Sequence, residues 1–181
     1  MGEFYRRPPG SAQADYEQAK KFEAAISQAL GPYVVDKTSS TSELDFRLMG
    51  ATVVEVKEKR QALTPRWTKL CPDWAPEDVF IIDELTVRKA LIVGHPYVFF
   101  VLRDVPMKRL FFCSISELVA VERKRVNRGG KGKLLFNLTD FLQFTDLNSL
   151  LALIFDCSSD EAWKWSNCLA FGERKVGQVD Q

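Results

Sequence analysis

Asp45, Glu55 and Lys57 are the residues of this chain whose types and spacing point most directly to chemistry. Glu55 and Lys57 lie in Thr52-Val53-Val54-Glu55-Val56-Lys57, and Asp45 lies ten positions earlier in Glu43-Leu44-Asp45-Phe46-Arg47-Leu48. Charged side chains inside an apolar, β-branched run are costly to place unless they serve something. Two carboxylates and a lysine converging at strand positions are what Mg²⁺-assisted phosphodiester hydrolysis requires. The tripeptide alone is weak, because Glu-x-Lys recurs at Glu122-Arg123-Lys124 and Glu173-Arg174-Lys175 in polar surroundings. Only the copy at 55–57 has apolar neighbours on both sides and an upstream Asp.

Both segments have strand composition, and Gly50 lies between them, so the pattern predicts a β-hairpin. Alternation puts Leu44, Phe46, Leu48, Thr52, Val54 and Val56 on an apolar face. Asp45, Arg47, Val53, Glu55 and Lys57 make up the other, polar face. Cross-strand partners share a face, so burying both apolar sets requires partner numbers with an even sum. Pairing 48 with 52 does this, leaves Met49-Gly50-Ala51 as the connection, and sets Asp45 opposite Glu55. A two-residue turn would put the carboxylates on opposite faces.

Carboxylates about 4 Å apart repel by roughly 4 kcal/mol at an effective dielectric near 20. Lys57 offsets part of this. A divalent ion would offset more, and oxygen-only ligands suit Mg²⁺ or Mn²⁺. A salt-bridge ladder on a solvated sheet face would use the same residues without any metal.

The arrangement resembles the PD-(D/E)xK nuclease superfamily, with Asp45, Glu55 and Lys57 matching its Asp…Glu-x-Lys signature and Leu44 standing where its proline often sits. The order helix, strand, motif hairpin is similar too. Gly31-Pro32-Tyr33-Val34-Val35 followed by Ser39-Ser40-Thr41-Ser42 looks like the archaeal Holliday junction resolvase branch. The likeness covers roughly residues 15–104. It implies an α/β fold with a restriction-endonuclease-like core, in which a mixed β-sheet is flanked by helices and followed by C-terminal helices. Asp45, Glu55 and the backbone carbonyl of Val56 would then ligate Mg²⁺, with Mn²⁺ as a substitute, and Lys57 would orient the attacking water and stabilise developing charge. Many members add a Glu from the first helix. Glu23 borders the apolar stripe of Ala19, Phe22, Ile26, Ala29 and Leu30, whereas Glu17 falls nearly opposite it. Glu23 is the better candidate, although it could equally pair with Lys20 or Lys21. The implied activity is a metal-dependent deoxyribonuclease, an endonuclease acting on DNA and compatible with a homodimer. A non-catalytic nucleic-acid-binding module on the same fold is the alternative.

Composition bounds the rest. The 181 residues suffice for one well-cored domain, and 46% apolar with 27% charged residues is ordinary for a globular chain. The expected organisation is a basic lead-in over 1–12, one nuclease-like domain over 13–171 (core about 15–104, elaboration 105–171), and a frayed tail over 172–181. A net charge of +1 confines any nucleic-acid surface to a local patch. No apolar run reaches membrane-span length, and the N-terminus lacks an apolar signal core. Cys71, Cys113, Cys157 and Cys168 lack paired metal-site spacing, and there is one histidine, so zinc is not expected. Scattered thiols fit an intracellular, cytoplasmic protein.

Along the chain, a helix is expected over 15–30, ended by Gly31-Pro32, and a strand over 33–37. Residues 59–76 read as a loop bearing Pro and Trp, with a short helix as an alternative within it. Over 78–93 a buried helix competes with a strand followed by a helix, helix being preferred for 84–92. Strands follow at 97–102, a doubly covered central one, and at 110–113, with an edge strand at 134–136. Two helices, about 145–155 and 159–170, close the pattern.

Two basic clusters are candidate nucleic-acid contacts. Lys59, Arg60 and Gln61 flank the motif beside Lys57. Arg123, Lys124, Arg125, Arg128, Lys131 and Lys133 place six positive charges in eleven residues with no acid, interleaved with glycines. That stretch could also be a solvated loop. Trp67 and Trp74 could stack on a base or fill core. His95 carries no assigned role.

Overall fold

The computed structural model describes residues 10–37, 43–48, 52–93, 98–128 and 130–157. The first helix, α1 (Ser11–Leu30), buries Phe22, Ile26 and Leu30, spaced four apart on one stripe. Gly31 ends it at φ 49°, a left-handed conformation that a side chain would disfavour. Then come β1 (Val34–Lys37), β2 (Phe46–Leu48), β3 (Val53–Lys59), the short α2 (Pro65–Thr68), β4 (Val79–Asp83) and α3 (Glu84–Val93). The chain continues with β5 (Val98–Asp104), β6 (Arg109–Ser114), α4 (Ile115–Ala120), β7 (Arg123–Arg128), β8 (Lys131–Asn137), β9 (Leu142–Phe144) and α5 (Leu147–Cys157).

Six strands form a mixed sheet in the order β1-β2-β3-β5-β6-β9, with β3 and β5 parallel and the other pairs antiparallel. The fold is α/β, a mixed sheet flanked by helices. Val54, Val56, Phe99 and Val101 point to one side, where Phe22, Ile26 and Leu30 of α1 and Leu150, Leu151 and Ile154 of α5 cover them. Val53, Val98, Phe100 and Leu102 point to the other, against α3, α4 and a second, three-stranded sheet ordered β4-β8-β7. β5 is therefore sandwiched, and Val98–Leu102 are all fully buried. That is why its sequence shows no alternation.

Several expectations are corrected. The 134–136 segment is not an edge strand. β8 is the centre of the second sheet, because Leu134 and Phe136 face the main core while Leu135 faces a cluster with Cys71, Trp74 and Val79. The 78–93 stretch resolves as β4 then α3, the apolar run of β4 being covered on both sides. Within the 105–157 stretch, β6 and β9 complete the main sheet. The odd face of β3 is not solvated either: the second sheet and its helices pack over it. The expected features at 1–9, 38–42, 49–51, 94–97 and 158–181 lie outside the described residues. They include the serine-rich loop, Met49-Gly50-Ala51, His95, the 159–170 helix and the tail.

Candidate active site

The hairpin adopts the register that buries its apolar face. Phe46 pairs with Val54 and Arg47 with Val53, and the Leu48 amide donates to the Thr52 carbonyl over 2.7 Å. β2 stops at Phe46, while β3 runs five residues past Val54. Continued in this register, the ladder would set Asp45 opposite Glu55 and then Leu44 opposite Val56. Instead the chain bends, and Leu44 turns into the core on the opposite side of the sheet from Phe46, departing from the expected face. Asp45 fills the gap. Its Oδ2 accepts the Val56 amide proton over 2.8 Å, and its own amide donates to Glu55 Oε2 over 3.2 Å. Both amides are thereby satisfied where the ladder breaks.

Glu55 Oε1 is ion-paired with Lys57, so both oxygens of Glu55 are engaged by the same trio. Glu55 is 5% exposed in its side chain and Lys57 30%. The site is a buried carboxylate reached from solvent past the lysine. Burial raises the Glu55 carboxyl above the ordinary range, and Asp45 adds to this, against the pull of Lys57. For Lys57, burial works against the charge, but Glu55, Asp45 and Glu23 outweigh it and raise the ammonium overall. Glu23, half-buried on α1, is raised by burial and then by Asp45, with Lys57 and Lys37 opposing. The α1 acid within electrostatic reach of the trio is thus Glu23. Glu17 is exposed and accepts from Gln13 on its own helix.

Among the described residues no three His, Cys, Asp or Glu side chains gather round one point. Mg²⁺ is typically held by one or two carboxylates together with waters and substrate phosphates, and the carboxylates near this point are those of Asp45 and Glu55. Val56 contributes further. Its amide faces the open edge toward Asp45, and the carbonyl of a strand residue points to the same side as its amide.

The expected phosphate contacts fare differently. Lys59 is buried, ion-paired with Asp104 at 2.9 Å and donating to the carbonyls of Glu77 and Val79. It cannot reach a ligand, because two strand ends and a turn close over it. Arg60 is held by Glu58 through two bonds of 2.9 and 2.6 Å, whereas Gln61 is exposed. The 123–133 run is a hairpin, β7–β8, rather than a loop, and most of its cations are engaged. Arg123 donates to the Val119 carbonyl, and Arg125 is ion-paired with Glu84 and Lys133 with Asp83. Lys124 lies over Trp74 and Arg128 over Trp67, at 5.4 and 4.5 Å from the ring centroids. Those two indoles carry side-chain cations of their own, and only Lys131 of the six is exposed with no such contact among the described residues.

Sequence reasoning missed the buried cluster beyond the site. Arg109 bridges Asp104 at 2.7 Å and Asp78 at 2.6 Å, joining Lys59 in one network at the ends of β3, β5 and β6. An available signal was Asp104 closing the apolar run of β5 opposite a lysine on β3.

No protein-family model matches the chain, and no curated protein sequence does. A solved structure described as D212, a nuclease from a fusselovirus, is similar in fold over 86% of this chain and 100% of that one, at 14% identity and a TM-score of 0.48. At that level the likeness carries no inference about residues or chemistry. No described helix is long and apolar enough to cross a membrane.

Proposed function

We propose that the chain is a metal-dependent nuclease of the PD-(D/E)xK kind, an endonuclease hydrolysing DNA phosphodiesters with Asp45, Glu55 and Lys57. The observation that carries this reading is the convergence of two carboxylates and an ammonium at the one place where the β2–β3 ladder breaks. Asp45, Glu55 and the Val56 carbonyl would hold Mg²⁺ or Mn²⁺. Such an ion, when bound, supplies polarisation of a phosphate oxygen and a more acidic water.

The protein's own groups do the rest. Lys57 places a partly exposed ammonium beside the carboxylates, where it can donate to a non-bridging phosphate oxygen as charge builds on it. Glu55 is held below solvent, in a setting where neighbouring charges act strongly. Glu23 extends the acidic field from α1 and can orient water at the edge of the site.

A second reading is favoured by one observation. The reciprocal bonds between Asp45 and the Glu55–Val56 segment leave the trio satisfied without any ligand, as a purely structural clasp would be. That reading corresponds to a non-catalytic nucleic-acid-binding module. Supercoiled plasmid incubated with Mg²⁺, with and without EDTA, separates the two. Nicking or linearisation by wild type, abolished by EDTA and by Asp45→Asn, supports the nuclease. Retention of DNA without cleavage supports the module.

A further inference from the structure

The site presents three carboxylates, Asp45, Glu55 and Glu23, against one ammonium, Lys57. A phosphodiester backbone would be repelled from such a surface unless other cations lie beside it. Lys59 and Arg60 are engaged elsewhere, as is most of the β7–β8 hairpin. Two basic residues that the sequence reading left aside stand next to Asp45 instead.

Lys37 ends β1 and is the cross-strand partner of Phe46, the residue after Asp45. It is exposed, its ammonium lies 5.8 Å from the Phe46 ring centroid, and its charge is felt by Glu23 together with that of Lys57. The ring restrains the lysine without neutralising it. Arg47 is exposed on β2, two residues past Asp45 and so about 7 Å along the strand. Partners across a ladder share a face. Lys37 therefore stands on the α1 side with Phe46, and Arg47 stands on the other side with Val53. Arg47 is the cross-strand partner of Asp36, and among the residues whose side chains are described neither Lys37 nor Arg47 is held in an ion pair.

We infer that Lys37 and Arg47 are positioning residues that bind the phosphates flanking the bond presented to Asp45 and Glu55, one from each face of the β1–β2 edge. This inference rests on the nuclease reading and names the part of the surface that receives the nucleic-acid strand. Neither side chain needs to touch the reacting atoms. Their contribution is uniform binding, expressed in KM rather than kcat.

The test uses the full chain with Lys37→Ala, Arg47→Ala and Arg47→Lys, and with Arg125→Ala on the hairpin as comparison. Cleavage of a short labelled DNA duplex in Mg²⁺ gives kcat and KM, fluorescence anisotropy in EDTA gives affinity against salt, and melting curves verify folding. Lys37→Ala and Arg47→Ala are each expected to raise KM about three- to tenfold with kcat held within about twofold. Each should also flatten the slope of log affinity on log salt by roughly 0.9, the signature of one lost phosphate contact. Arg47→Lys should keep the wild-type slope. Unchanged KM and slope in both alanine variants, with cleavage intact, overturn this inference and leave the nuclease reading standing. Equal losses in Arg125→Ala overturn it as well. A wild type that binds DNA without cutting it defeats the nuclease reading alone, and the salt slopes then decide this one. A wild type that neither cuts nor binds defeats both.

Discussion

Glu55, Lys57 and Lys59 project from the same side of β3, yet they belong to two charge clusters with opposite settings. At Lys59 the partners come from β5, β6 and the turn before β4, and the pair is sealed, with side-chain exposures of 6% for Lys59 and 0% for Asp104. At Glu55 and Lys57 the β2 neighbour has ended, no described strand continues along that edge, and the lysine still meets solvent. Both clusters put charge where a strand wants hydrocarbon. Only the one at the broken ladder leaves donors and acceptors that a ligand could reach. Buried charge in a strand is thus no sign of function by itself, since a closed network can serve register alone. The informative feature is the coincidence of charge with an unpaired strand edge.

The contrast breaks most sharply at Lys57. Lys57→Ala should lower single-turnover plasmid nicking about 10²–10³-fold, the loss expected for one pre-set donor to a developing oxyanion. The variant should still fold, with a melting temperature lowered by the loss of the ion pair to the buried Glu55. Full activity in this variant would reduce the trio to a structural clasp.

Lys59→Met should show the reverse pattern. Removing Lys59 takes one of two cations from the fully buried Asp104, one oxygen of which is already without a hydrogen-bond partner. A loss of about 3 kcal/mol in urea unfolding is expected, with turnover per folded molecule nearly unchanged. A selective loss of kcat would move Lys59 into the site.

The acid limb of the pH–rate profile sharpens the comparison further. Burial raises the Glu55 carboxyl, so its ionised form costs stability. In the absence of metal, stability contributed here declines as pH rises from the usual carboxylate range through the raised value. A divalent ion favours the ionised form and opposes that trend. Cleavage should therefore fall on acidification at a pH above the ordinary carboxylate range, and raising Mg²⁺ should move the limb lower. A limb insensitive to Mg²⁺ would assign it to another group.

Glu23→Gln should have the smallest effect. It removes a charge that acts from α1 without contacting the trio, so a change of about fivefold in the Mg²⁺ concentration for half-maximal cleavage is expected. Glu17→Gln should change nothing in the same titration, being exposed and bonded within its own helix.

Much of this was legible in the order of residues. Parity fixed the pairing of Leu48 with Thr52 and hence brought Asp45 to Glu55, because a strand has only two faces and one had to be buried. The stripe on α1, its glycine stop and the apolar run of β5 were equally local. Three-dimensional packing decided what local pattern could not. Lys57 and Lys59 are identical side chains two positions apart on one face, and only the distant Asp104 and Arg109 make one of them inaccessible. The basic run at 123–133 looked free because the acids that hold it, Glu84 and Asp83, lie 41 and 50 residues from their partners Arg125 and Lys133. The second sheet was not legible as a sheet: β4 and the end of β8 are covered on both sides and lose the two-residue period, and β7 is a run of charged residues that reads as surface. Face and period follow from neighbours along the chain. Accessibility depends on what folds over them, and that comes from residues remote in sequence.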